Sequence, residues 1–248
     1  MRNIVLRFVP GIVLLILWET VAKQDKTILF LFSSPSRIIS LLFEELQNRA
    51  MWHNIWVTFE EAALGLILGT VLGTLFGLLI WANETLRKIS EPYLLIFGAI
   101  PIFALAPMLI IWFGIGLSSK VFMAAFSVFL VALSQSYEGT QNASKKYTLF
   151  AQSLGCSRMK MMYKIILPGS LQWVLSGIKM NIGLALLGAF IGEFVSSTAG
   201  LGFYILKEGS LFNTAGVLAG IILLTGLSLV MNVILNFIKR NLLPWTNN

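Results

Sequence analysis

Side chains that usually carry covalent chemistry are scarce in this 248-residue chain. It holds one histidine, His53, one cysteine, Cys156, and one aspartate, Asp25. An intramembrane enzyme needs paired aspartates, or a serine with a base beside it. Asp25 falls outside the apolar runs, and His53 sits between Trp52 and Trp56 with no second ligand at metal-site spacing. A single cysteine excludes an internal disulfide and a cysteine metal cluster. The phosphate-cradling pattern Gly-x-x-x-x-Gly-Lys-[Ser/Thr] is absent, so the chain offers no nucleotide loop of its own. What remains is solute contact rather than bond-making.

The candidates for such contact are polar or helix-bending residues inside apolar runs. Asn181 is the one strongly polar member of the row Gly177, Asn181, Leu184, Gly188 and Gly192, and its amide prefers a partner or water to lipid. Glu193 lies near the outer end of the same run, where a carboxylate serves a gate, a substrate route or a structural pair. Pro101 and Pro107 remove backbone hydrogen bonds and suit either a gate or a packing bend. Helix packing alone accounts for Gly188. The same holds for Gly65, Gly69, Gly73 and Gly77, whose four-residue spacing puts them on one close-approach face. Lys179 is near enough to the inner face to snorkel, and about 21 Å of helix separates it from Glu193, too far for an ion pair.

The elements that would position these residues are membrane helices. The chain is 57% hydrophobic and 12% charged, against about 25% charged in soluble domains. A hydrocarbon core of about 30 Å needs about 20 apolar residues per helix. Six stretches meet this: about residues 4–22, 62–82, 93–113, 121–139, 171–194 and 215–238. The expected fold is all-α, a single polytopic membrane domain over residues 1–248. The first stretch follows a basic start, Met1–Arg7, like a signal peptide, but no small-x-small cleavage site follows, so it reads as a retained span.

Orientation follows from the loops. With the N-terminus in the cytoplasm, Arg2, Arg7, Arg87, Lys88, Lys145, Lys146, Arg158, Lys160, Lys164, Lys239 and Arg240 lie inside. Lys23, Lys26, Arg37, Arg49, Lys120 and Lys207 lie outside, a bias that favours both termini in the cytoplasm. The net charge of +7 belongs to this pattern. No basic stripe interleaves with aromatics, so nucleic acid is excluded as a partner. In the outer loop, Pro35 opens a segment to about residue 50 in which Ile38, Leu41, Leu42, Glu45 and Leu46 fall at helical spacing. It reads as an amphipathic helix on the membrane surface or capping the bundle.

The long inner loop, about residues 140–168, predicts two short helices hinged at Gly155. Glycine is the residue that best closes a helix in the left-handed conformation. Ser157 is placed to cap the second helix, which is expected to stop at Pro168. Leu149, Leu154, Met162, Ile165 and Ile166 supply apolar faces. Spacing leaves two readings open: an interfacial pair resting on headgroups, or a docking element for another protein.

Ser153-Leu-Gly-Cys-Ser-Arg158, followed by Ile165-Ile-Leu-Pro168, resembles the cytoplasmic signature loop of bacterial ATP-binding cassette (ABC) import permeases. That loop runs Glu-Ala-Ala, three residues, Gly, nine residues, Ile, one residue, Leu-Pro. Counted from Gly155, the Ile165, Leu167 and Pro168 positions fit. At the front Leu149-Phe-Ala151 stands for Glu-Ala-Ala, so only Ala151 matches. A literal Glu61-Ala-Ala63 occurs earlier, but Gly65 follows too soon and the site opens a span. Ile100 through Gly116 with Ser119-Lys120, then Ser176-Gly-Ile-Lys179, and Glu193 with Thr198-Ala-Gly-Leu-Gly202, are similar to the nitrate, sulfonate, taurine and bicarbonate subfamily.

The resemblance implies the type I importer permease architecture and a non-catalytic translocation subunit in a bacterial inner membrane. Its implied partners are a cytoplasmic ATP-binding cassette ATPase, a periplasmic or external solute-binding protein, a second copy forming a homodimer, and the lipid bilayer. ATP and Mg would be bound by the ATPase, with no cofactor on this chain. It also implies that the loop around Ala151, Ser153, Leu154, Gly155, Cys156, Ser157, Arg158, Ile165, Leu167 and Pro168 couples to that ATPase. An ion-gradient-driven transporter or channel is the alternative, which normally carries several ionisable residues along its spans.

Overall fold

A computed structural model describes residues 2–98 and 100–242, and within these the side chains of residues 2–8 and of Glu91, Leu95, Phe97, Ser144–Lys146, Thr148, Leu149, Gln152, Arg158 and Arg240–Leu242 lie outside the described set. The expectations placed on Arg2, Arg7, Lys145, Lys146, Leu149, Arg158 and Arg240 therefore concern their backbone positions only.

The described chain is helical throughout. The helices are α1 (Arg2–Gln24), α2 (Lys26–Phe32), α3 (Pro35–Gln47), α4 (Arg49–Ala82), α5 (Glu84–Gly98) and α6 (Ile102–Phe113). Then follow α7 (Leu117–Ser153), α8 (Arg158–Met161), a π-helical turn (Met162–Ile166), α9 (Leu167–Ser196), α10 (Leu201–Ser210) and α11 (Thr214–Leu242). Among the described residues four helical segments are long and apolar enough to cross a membrane: Arg49–Ala82, Leu117–Ala143, Met159–Ser196 and Thr214–Lys239. The pair α2 and α3, bent by 47°, makes a fifth if counted as one span.

Helix starts obey capping chemistry. Asp25 caps α2 by accepting the Thr27 N–H at 2.6 Å, and Asn48 caps α4 by accepting the Ala50 N–H at 3.0 Å. Ser34 caps α3, where Pro35 takes the first turn and its missing N–H costs nothing. As expected from its amphipathic spacing, α3 turns Ile38 inward onto Ala215 and Ala219 of α11, with Trp18, Leu41 and Leu42 around them. It is tied to α1 by Glu19, which accepts the Ser36 N–H at 3.0 Å and its hydroxyl at 2.7 Å. The apolar side of this segment therefore packs on α11 and α1.

The core is the trio α4, α7 and α9, which pack most extensively on one another. Gly65, Gly69, Gly73 and Gly77 form the contact face of α4. A Cβ at Gly73 would lie 2.9 Å from Ala132 Cβ, and one at Gly77 would lie 2.7 Å from Ser136 Cβ. The stripe serves close packing against α7, and Ser136 reinforces it by donating to the Thr74 carbonyl at 3.0 Å.

Three expectations need correction. The stretch 93–113 is not one helix: α5 ends at Gly98 and α6 begins at Ile102, with Pro101 in extended geometry (φ −66°, ψ 119°) as its N-cap. Proline lacks the N–H that would continue α5 and disfavours helical geometry in the residue before it. The first of the two short inner helices is not separate. It is the end of α7, whose 37 residues reach about 55 Å and so project well beyond a 30 Å core. Nor does the second stop at Pro168. The π turn carries the chain into α9, with the Leu167 N–H bonded to the Met162 carbonyl. The wider turn relieves the ring clash that proline imposes inside a regular helix, and Pro168 then occupies the tolerated first turn of α9. Two helices were not foreseen: α2, of seven residues, and α10, a ten-residue helix between α9 and α11.

Candidate functional site

An elbow joins α7 to α8. Gly155 has φ +68°, the left-handed region that glycine adopts without penalty. The Cys156 N–H bonds to the Ala151 carbonyl at 3.0 Å, and the Leu154 N–H to the Phe150 carbonyl at 3.2 Å. The first of these bonds closes a Schellman motif around Gly155. Beyond the hinge, the Met161 N–H meets the Ser157 carbonyl at 3.0 Å and starts α8.

The elbow has two faces. On the inner one Ala151, Met161 and Ile166 are buried with Ala143, while Leu78, Trp81, Cys156 and Ile165 pack around them. Leu167 is half-buried, and Pro168 is exposed. On the outer one Phe150, Leu154, Met159 and Tyr163 stand out, with Leu154 70% exposed. Ser153, Ser157, Lys160 and Lys164 are exposed among them, so the surface mixes apolar and polar side chains.

A second feature is a cleft of about 430 Å³ between α5, α6, α7 and α9. Its wall is mostly apolar, with Ser127, Ser134, Gln135 and Glu138 as polar members, all from α7. Asn181 stands just behind it, fully buried, donating from Nδ2 to Gln135 Oε1 at 3.2 Å. Pro101 lies between Ile100 and Ile102, both of which line the cleft, and Pro107 is exposed one and a half turns further along α6. Gly188 is elsewhere: a Cβ there would lie 2.6 Å from the Ala124 Cα, inside the α7–α9 contact.

Glu193 is also inside the protein, in a polar cluster that fastens α10. Its Oε2 accepts the Gly202 N–H at 2.5 Å, and its Oε1 accepts the Thr58 hydroxyl at 2.6 Å. Thr58 in turn accepts the Leu201 N–H at 2.8 Å, and Asn54 accepts the Gly200 N–H at 3.0 Å. Three α4 and α9 side chains thus take up the N–H groups at the start of α10. Gly200, at φ +108°, leaves no room for a Cβ beside the Glu193 carboxylate. Glu61 presses against Glu193 with its own Oε2 buried and unpaired, and buried Lys120 acts electrostatically on both carboxyls.

Several of these residues were missed in the sequence, though signals existed. Ser127, Ser134 and Glu138 recur at steps of seven and four, one face of a helix. Glu61 continues the four-residue row of Gly65, Gly69, Gly73 and Gly77, so it faces the same partners. Lys120, read as an outer-loop charge, is buried and donates to the Gly116 carbonyl at 3.2 Å.

The family model of the binding-protein-dependent transport system inner membrane component matches residues 65–247. The chain belongs to this family. Permeases similar to it include the taurine transport system permease protein TauC of Escherichia coli, 26% identical over 98% of this chain and 90% of that protein. The riboflavin transport system permease protein RibX of Chloroflexus aurantiacus is 30% identical over 94% of this chain and 87% of that protein. Among solved structures, the inward-facing MetNI methionine ABC transporter matches with TM-score 0.66 and 19% identity, over 77% of this chain and 96% of that one. The fold is thus that of an ABC importer transmembrane subunit, and the protein is an inner-membrane permease component of such an importer. The elbow at Gly155 and the cleft beside α7 are accordingly parts of a permease.

Proposed function

We propose that the elbow around Gly155 docks a separate ATP-binding cassette ATPase, whose closure and opening tilt α7 and α9 and so move the permease between its two faces. The exposed quartet Phe150, Leu154, Met159 and Tyr163 carries this reading. α7 runs unbroken from the elbow through the membrane, so a push on Leu154 reaches the cleft residues Ser134 and Ser127 along one rigid rod. Leu149 takes the place of the acidic residue of the signature loop, which removes a polar contact there, and the exposed Phe150 beside it offers an apolar one. In this reading ATP and Mg belong to the partner subunit and this chain contributes no catalytic group.

The same reading makes the functional unit a pair of identical subunits in the bilayer, with both termini in the cytoplasm and a solute-binding protein delivering cargo to the outer face. The basic residues Lys160, Lys164 and Lys239 support that orientation. The passage itself runs along the α7 cleft, where Ser127, Ser134, Gln135 and Glu138 provide polar contacts in an otherwise apolar wall. The cargoes named for the relatives, taurine and riboflavin, are both small organic solutes, and this chain is assigned a small organic solute on that ground. The test is ATP-driven uptake by the reconstituted complex. Gly155→Pro removes the left-handed hinge and is expected to abolish uptake while leaving the permease in the membrane. Undiminished uptake in that variant contradicts the docking assignment.

A further inference from the structure

The reading of the α7 cleft as the passage, on which this inference rests, leaves open what charge it admits. Its described lining includes no lysine, arginine or histidine, and its one charged member is the exposed Glu138. Among the described residues no cation pairs with that carboxylate: the ion pairs join Lys23 to Glu19 and Arg87 to Glu84, both remote from the cleft.

The neutral polar groups lean the same way. The Ser127 hydroxyl donates to the Met123 carbonyl at 2.9 Å, which spends its proton and leaves oxygen lone pairs for the cleft. Gln135 and Asn181 are turned to each other, at 3.2 Å from Asn181 Nδ2 to Gln135 Oε1 and at 3.5 Å in the reverse sense. The pair uses one N–H and one oxygen of each amide and so leaves the balance of donors and acceptors unchanged, while Glu138 and Ser127 present acceptors. An acceptor-rich, negatively charged cleft with apolar walls attracts cations and N–H donors and repels anions, and low-dielectric walls strengthen both effects.

We infer that the α7 cleft is an anion-excluding passage, selective for a neutral or cationic solute that bears N–H donors, such as an amine or an amino-substituted heterocycle. A sulfonate or other small anion would enter without a single positive side chain to receive it. Glu138 is the selecting residue, and in a symmetric pair of subunits its charge is doubled at the inner mouth.

The test probes the cleft without presuming the cargo. The detergent-solubilised complex of the permease with its ATPase, carrying Ser134→Cys, is reacted with a trimethylammonium methanethiosulfonate and with a sulfonate methanethiosulfonate. Rates are normalised to those of 2-mercaptoethanol, and the parent chain, with Cys156 alone, provides the background. The expected result is a preference of about tenfold or more for the cationic reagent, within the range by which a charged cleft concentrates counter-ions. Adding Glu138→Gln should bring that preference back to the free-thiol value. An anionic preference, equal rates, or no reaction with either reagent overturns the inference. If Ser134→Cys fails to assemble, Ser127→Cys reads the same cleft with the same outcomes. ATP hydrolysis by the parent complex, measured in the same preparation, tests the docking reading separately.

Discussion

Thr58 and Glu193, 135 residues apart in sequence, meet at 2.6 Å through a hydroxyl-to-carboxylate hydrogen bond buried from solvent. The bond ties the N-terminal third of α4 to the end of α9, and both residues also hold the first N–H groups of α10. In the sequence Glu193 suits a gate, a substrate route or a structural pair, and its contacts here are those of a clasp. Any motion of α10 during transport has to keep or break this group as a unit.

Removing the clasp should destabilise the permease. Glu193→Ala leaves the Gly202 N–H and the Thr58 hydroxyl without their buried acceptor, at about 1–3 kcal/mol for each unsatisfied group. Thermal unfolding in detergent is expected to show a drop of several degrees, at about 2–4 °C per kcal/mol for a chain of this size. Glu193→Gln keeps the shape and one acceptor oxygen, so its loss should be smaller. Equal stability of Glu193→Ala and the parent would contradict the clasp.

The glycine stripe predicts a contrast between two helix glycines. At Gly73 a Cβ would crowd Ala132 Cβ and the Leu133 nitrogen, each 2.9 Å away. Gly73→Val should therefore force α4 from α7, at about 1–3 kcal/mol or more, and lower the yield of folded protein. Gly183 has nothing within 4 Å of its Cβ position, so Gly183→Ala should be neutral or up to about 1 kcal/mol stabilising. Paired melting curves decide it.

Asn181 and Gln135 form the polar backing of the cleft. Asn181→Leu frees the Gln135 amide to turn into the passage while adding an apolar side chain to a packed position. Uptake should fall severalfold with ATP hydrolysis retained in the same proteoliposomes. Parallel loss of both activities would show a folding defect instead.

Much of this architecture was legible because hydrophobic runs, charge bias and capping residues act locally. Gly155 is an example: a glycine followed by Ser157 announces a helix end and a helix start, and the left-handed φ and Schellman bond follow. The break at Pro101 and the passage through Pro168 were harder, since a proline's effect depends on the backbone around it. At Pro101 extended geometry ends one helix, while at Pro168 a π turn absorbs the ring. The Thr58–Glu193–Glu61 cluster was illegible for another reason. It brings together α4, α9 and α10, and no local spacing encodes a contact across three helices. The α7 cleft lies between these cases, its serines and Glu138 being on one helical face but its far wall coming from α5, α6 and α9.

The most direct measurement of the central claim is co-purification from native membrane. The tagged permease, extracted in mild detergent, is expected to bring with it a stoichiometric phosphate-loop ATPase. Leu154→Glu, which places a charge in the exposed apolar quartet of the elbow, should remove that ATPase while the permease stays folded. An ATPase retained in full by Leu154→Glu, or absent from an intact parent that transports without ATP, would contradict the account.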